Sequence, residues 1–296
     1  MCRFTYYQGP PILVGSLITE PRHSLVNQSF QAEEREEPLN GDGFGLGWYV
    51  PEVSEEPALF KSISPAWSNR NLQELSRVIS ASCILAHVRA ATQGLIVSEV
   101  NCHPFKWGKY AFMHNGDIGG FSAIRRPLIN QLSDTAFAQI KGNTDSEHFF
   151  AVVIDELLQL EHLKPWDRLP TAMIKAVKKV QNLIDQHAPG SFSYMNMVLT
   201  DGHLAAVMRL TTDDPSNADS LYYNLGKKYI CEEGICYMRD PGHHEKAVVI
   251  SSEPLSKDSG WEAVPVNSML LIKEGKIKDH MQIHLEPTTI QNTNMQ

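Results

Sequence analysis

Apolar residues recur along the chain with two periods. Between residues 69 and 81, Leu72, Leu75 and Ile79 fall at i, i+3 and i+7, which puts them on one side of a helix. Residues 146–161 carry Phe149, Val152, Val153, Leu157 and Leu160 on one face, and Thr144 with Glu147 has capping-box spacing. Residues 171–186 repeat Ile174, Val177, Val180 and Ile184, and a further helix is predicted over 122–132, started or interrupted at Pro127. Short apolar or alternating runs predict strands at Ser82–Val88, Tyr110–His114, Met195–Leu199, Leu204–Leu210, Ala247–Ser251 and Met269–Lys273. Turn signals such as Asp201-Gly202 and Glu274-Gly275 bound many of them. Helices among many strands predict sheets covered by helices, an α+β layered architecture. The acidic stretches Glu33-Glu34-Arg35-Glu36-Glu37 and Glu52, Glu55, Glu56 read as solvated loops, and the polar run 211–220 as a long loop. No repeat or linker divides the chain, so residues 1–296 are expected to form one domain.

Composition narrows the function classes. Of 296 residues, 42% are hydrophobic and 20% charged, as in soluble globular proteins. A net charge of −8 with no Lys/Arg block argues against nucleic-acid binding. No apolar run approaches the ~18 residues of a membrane span, and the first residues lack a signal-peptide apolar region, so a cytoplasmic location is expected. Five cysteines without framework spacing read as thiols in a reducing compartment. No glycine-rich nucleotide motif follows a strand, and no cofactor is expected. Two metal groupings, His87/Cys102/His103/His114 and Cys231/Cys236 with His243-His244, lack zinc spacing, and no metal is expected. No G-x-S-x-G elbow occurs either.

The remaining chemistry gathers around Cys2. Removal of Met1 would expose it as an N-terminal residue whose own α-amine, with an ordinary pKa of about 7.7–8.0, can serve as base for its thiol. Four polar islands follow. Asn40-Gly41-Asp42-Gly43-Phe44-Gly45-Leu46-Gly47 has glycines at alternate positions, suited to close backbone approach or to a glycine-rich hairpin. His87-Val88-Arg89-Ala90-Ala91-Thr92 ends a strand with an Arg fork that fits a carboxylate. His114-Asn115-Gly116 is either a hairpin turn or an oxyanion hole made by an amide side chain and a backbone N–H. Asn143-Thr144-Asp145-Ser146-Glu147 caps a helix and offers a carboxylate at its start.

In this order behind Cys2, and together with Asn101-Cys102-His103-Pro104-Phe105, these islands resemble the class II (N-terminal-nucleophile) glutamine amidotransferases over roughly residues 1–150. The resemblance implies a four-layer αββα sandwich. It implies that Cys2 attacks the γ-carbonyl of a γ-glutamyl group and that Asn115 and Gly116 hold the oxyanion. Arg89, with Thr92 nearby, would bind the α-carboxylate and Asp145 the α-ammonium. A γ-glutamyl thioester would form and be hydrolysed. Gln93 stands where the sugar-phosphate-making branch has a His. The chain is therefore most similar to the stand-alone branch, which includes the fungal glutathione-degrading amidotransferase subunit and an ergothioneine-pathway amidohydrolase. That branch implies a small-molecule γ-glutamyl substrate and a separate synthase or peptidase-like partner subunit. The alternative is a non-catalytic γ-glutamyl-binding or regulatory subunit of a partner enzyme.

Overall fold

Along residues 3–13 successive side chains turn to opposite faces, and both faces are covered. Phe4 and Tyr6 pack into one buried cluster, Tyr7 and Ile12 into another. A strand covered on both faces lies at the centre of a layered stack. The computed structural model describes residues 2–34, 39–90, 97–232, 235–241 and 246–285.

The seven-stranded sheet contains β1 (Arg3–Leu13), β2 (Phe44–Val50), β3 (Ser54–Ser62), β4 (Ser80–Val88), β9 (Tyr222–Gly226), β12 (Ala247–Ser251) and β13 (Trp261–Ala263), in the order β13-β9-β12-β1-β4-β2-β3. The six-stranded sheet contains β5 (Phe105–Trp107), β6 (Tyr110–Asp117), β7 (Tyr194–Thr200), β8 (Leu204–Thr211), β14 (Ser268–Lys273) and β15 (Lys276–Gln282), in the order β15-β14-β8-β7-β6-β5. Their inner faces meet through Phe4, Tyr6, Leu85, Met113, Val198 and Val207. Outside the first sheet lie α1 (Gly15–Ile18), α2 (Leu25–Gln28), α3 (Arg70–Ser76) and a separate hairpin of β10 (Lys228–Glu232) and β11 (Ile235–Arg239). Outside the second lie α4 (Phe121–Ile129), α5 (Asp134–Phe137), α6 (Asp145–Gln159) and α7 (Pro165–His187). The stack is the expected αββα sandwich. No helix among the described residues is long and apolar enough to cross a membrane.

Several elements differ from the sequence expectation. The helix expected over 69–81 ends at Ser76, and β4 begins at Ser80, because Ala81 and Ile84 are drawn into the sheet core. Pro165 opens α7 ahead of the periodic run, as Pro at a helix start allows. Glu55 and Glu56 lie in β3 and not in a loop; β3 is an edge strand, where charge is tolerated, and Lys106 Nζ pairs with Glu56 at 3.0 Å. β1 is absent from the sequence expectation, since its mixed pattern and Pro10-Pro11 hide the alternation. Cys231 and Cys236 are disulfide-bonded, against the expectation of five thiols. They stand directly opposite each other across the β10–β11 hairpin, a pairing visible only once the strands are in register.

Candidate active site

Cys2 precedes β1, and the alternation of that strand turns its side chain to the face of Phe4 and Tyr6, between the two sheets. It is half-buried, with its Sγ 3.6 Å from the Ala90 carbonyl oxygen. Arg3 pairs with Val88, the last residue of β4, so Arg89 leaves that strand at the end where Cys2 enters β1. Arg89 is buried, its backbone is tied to Gly43 and Asp42, and among the described residues its Nη1 has no hydrogen-bond partner. A buried guanidinium nitrogen left unpaired invites an anion.

Across the gap, Asn115 lies on the inner face of β6 with Ala111 and Met113. Its Nδ2 is 3.5 Å from Ser252 Oγ, and its buried Oδ1 has no partner among the described residues. Gly116 follows with φ +139°. Asp145 begins α6, half-buried. It accepts the Ile118 amide at 2.9 Å and the Ser146 amide at 2.7 Å. Cys2, Arg89, Asn115, Gly116 and Asp145 thus come from four distant stretches to the same end of the sheet pair. Thr92 lies outside the described residues.

The supporting loops use residues whose roles the sequence left open. Asn101 and Asn143 exchange two hydrogen bonds, at 3.0 and 3.1 Å, just before Asp145. Thr144 accepts the Glu147 amide at 3.2 Å, as the capping-box spacing predicted. The reciprocal bond is absent: the Glu147 carboxylate takes the Lys141 and Gly142 amides instead. The alternate glycines at the start of β2 are explained by close approach, since a Cβ on Gly45 would collide with the His103 carbonyl, and one on Gly43, just before the strand, with the Ser62 carbonyl and Cys102 Sγ. Met1-Cys2-Arg3 and Ile250-Ser251-Ser252-Glu253-Pro254-Leu255 both share in the family resemblance, but the sequence assigns no role to Arg3, Ser252 or Glu253; a polar run closing the apolar strand β12 is the local signal.

Burial dominates the electrostatics. It pushes the Cys2 thiol up, a backbone hydrogen bond at Ala90 and the Arg89 charge pull it down, and Asp145 pushes it up again. A mostly protonated thiol needs a base. The His87 and His103 rings lie tilted against each other with centroids 4.2 Å apart. Among the described residues the close metal-type grouping is Glu20 with Cys231 and Cys236, two of them already bonded to each other. Burial pushes the His87 ring down to about 3, and the hydrogen bond to the His114 carbonyl only partly opposes it. An unfolded histidine titrates near 6.5. As pH falls below that value the unfolded chain takes up a proton that the folded protein refuses, so stability falls between about pH 6.5 and 3. The thermal midpoint should therefore drop steadily through that window, and His87→Gln should flatten the drop. An unchanged slope would refute the assignment.

A nucleophile-type side chain at the end of a central strand, between two stacked sheets with helices outside, defines the N-terminal-nucleophile architecture. The family model of class-II glutamine amidotransferases matches residues 17–296, a span that starts after Cys2. A probable glutamine amidotransferase of Saccharomyces cerevisiae, DUG3, is 37% identical over 300 residues, covering 95% of this chain and 84% of its own. The chain belongs to the class-II glutamine amidotransferases and is an enzyme of amidohydrolase type. A gamma-glutamyl-hercynylcysteine sulfoxide hydrolase of Mycobacterium tuberculosis is 28% identical over 137 residues, 46% of this chain and 58% of its own length. Among solved structures, a glutamine aminotransferase class-II domain protein of Silicibacter pomeroyi aligns with a TM-score of 0.66 at 25% identity, covering 95% of this chain and 99% of that one. The glutamine phosphoribosylpyrophosphate amidotransferase of B. subtilis shares the fold, with a TM-score of 0.59 at 15% identity over 96% of this chain and 50% of that one.

Proposed function

We propose that the enzyme hydrolyses a γ-glutamyl amide, in glutamine, glutathione or a related γ-glutamyl compound, through a thioester on Cys2. The carrying observation is the pairing of unlike charges around one thiol: Arg89 follows Val88, the ladder partner of Arg3, and both Arg89 and the Asp145 carboxylate act electrostatically on the Cys2 sulfur. A fixed cation and a fixed anion suit the α-carboxylate and α-ammonium of a γ-glutamyl end. The name of the M. tuberculosis relative supports a γ-glutamyl substrate.

Removal of Met1 frees the α-amine of Cys2, which takes the thiol proton as sulfur attacks the γ-carbonyl. The oxyanion is held by Asn115 Nδ2 and the Gly116 N–H, each such donor being worth about 3–4 kcal/mol in the transition state. The ammonium returns its proton to the leaving nitrogen as the C–N bond breaks. Water then attacks the thioester, glutamate leaves and the thiol is restored. Thr92 is assigned to the carboxylate side beside Arg89. No step calls for a cofactor.

The test is a panel of glutamine, glutathione and other γ-glutamyl amides scored for glutamate release, with and without a candidate synthase or peptidase-like partner subunit. A glutamine-like chloroketone is run alongside. Glutamate release and a label on Cys2 of the Met1-free protein are expected. Arg89→Ala should raise KM far more than it lowers kcat. Neither release nor labelling in correctly processed protein would sink the reading and favour a non-catalytic binding subunit.

A further inference from the structure

A nucleophile at a chain terminus meets a physical difficulty: free ends fray, and a misplacement of about 1 Å can cost 100-fold in rate. The β1 ladder begins only at Arg3, and the Cys2 thiol has one long contact, to Ala90. What holds the terminus lies on the opposite face of the strand. Arg3 is 3% exposed, and its Nη1 donates to the Cys2 carbonyl at 2.9 Å while its Nε donates to Glu253 at 3.0 Å. Glu253 is 1% exposed, and its other oxygen accepts His23 Nε2 and the Glu33 amide, both at 2.8 Å. Burial alone would raise this carboxyl, but the bonds from His23, the Glu33 amide and Arg3 hold it down at about 2.

The preceding residue reaches the other way. Ser252 exchanges bonds with Phe4, its amide donating to the Phe4 carbonyl and its Oγ accepting the Phe4 amide, each at 3.0 Å. The same Oγ faces Asn115 Nδ2 of the second sheet at 3.5 Å, and Ser220 Oγ donates to the Ser252 carbonyl at 2.9 Å. Two consecutive residues at the end of β12 therefore fix the strand that carries Cys2 and the amide that faces it.

We propose that Arg3 and Glu253 are positioning residues for Cys2, and that Ser252 sets the distance between that strand end and Asn115. This rests on the γ-glutamyl reading above. None of the three touches substrate: Arg3 and Glu253 hold the Cys2 backbone where its sulfur meets a γ-carbonyl, and Ser252 spaces that strand end from Asn115.

The experiment compares the Met1-free wild type with Glu253→Gln, Arg3→Met and Ser252→Ala, with Ser252→Thr as the conservative control. Circular dichroism and thermal melting select the folded variants. With glutamine, Glu253→Gln and Arg3→Met should lose about 100-fold in kcat, while KM stays within about threefold. Ser252→Ala should lose about 10-fold, and Ser252→Thr should regain most of it. Alkylation of Cys2 by iodoacetamide, which needs no aligned carbonyl, should hold or rise in all of them. Hydrogen exchange of the peptide spanning residues 2–6 should quicken in Glu253→Gln. If the wild type releases no glutamate from any γ-glutamyl amide of the panel, the γ-glutamyl reading fails, and the exchange measurement alone decides the clamp. Wild-type kcat in folded Glu253→Gln and Arg3→Met, or unchanged exchange in Glu253→Gln, overturns the proposal.

Discussion

Cys2→Ala leaves no measurable γ-glutamyl hydrolysis, a fall of at least about 10,000-fold, as expected when a covalent nucleophile is removed. The fold survives. The side chain is half-buried and makes one long contact, to the Ala90 carbonyl, so its loss should cost no more than about 1 kcal/mol of stability. Glutamate release and thermal melting on the same preparation check both halves. Cys2→Ser sharpens the result, since a hydroxyl is far less acidic than a thiol and the proposed base is a weak amine. Intact-mass spectrometry of the wild type adds a second arm: protein that retains Met1 should be inactive, because its α-amine no longer sits on Cys2. Full hydrolysis by Cys2→Ala, or by protein retaining Met1, would remove the mechanism.

Gly116→Ala should destabilise the protein by about 3–5 kcal/mol and abolish activity with it. The residue has φ +139°, a region L side chains rarely enter, and a Cβ there would land on the Tyr194 carbonyl oxygen. That oxygen belongs to β7, the hydrogen-bonded neighbour of β6, so neither strand can give way without breaking the ladder between them. His114 Nε2 lies 3.1 Å from the same point. Gly108 is the control. It has φ +51° but nothing within 4 Å of an added Cβ, so Gly108→Ala should cost only about 1–2 kcal/mol, the ordinary left-handed penalty. Urea unfolding of both variants separates the contributions. Equal costs would mean that crowding against β7 is not what demands glycine at position 116.

The apolar runs in Tyr110–His114, Met195–Leu199 and Leu204–Leu210 are readable because each strand is buried on both faces, and burial on both faces selects an apolar run. The helical stripe at Phe149, Val152, Val153 and Leu157 was readable for the same reason. β1 was not, although it is 11 residues long, because Arg3, Thr5 and Gln8 are buried polar residues satisfied by partners far along the chain. Gln8, for instance, donates to the His203 carbonyl and accepts the Gly275 amide. A local pattern cannot register such partners.

The candidate site divides along the same line. Residue types in chain order determined the membership of the family and the identity of Cys2, Arg89, Asn115, Gly116 and Asp145 as candidates. They did so because a thiol, a guanidinium fork, an amide beside a glycine and a carboxylate at a helix start each carry their chemistry with them. Only the tertiary structure decided what stands behind these groups. Glu253 lies 250 residues from Arg3, and Ser252 lies 137 from Asn115. Asn101 meets Asn143 across 42 residues, and Cys231 faces Cys236 only through hairpin register. These contacts depend on which strands become neighbours and on which face each side chain falls. That is settled when two sheets bury their inner faces against each other, and no local run of residues records it.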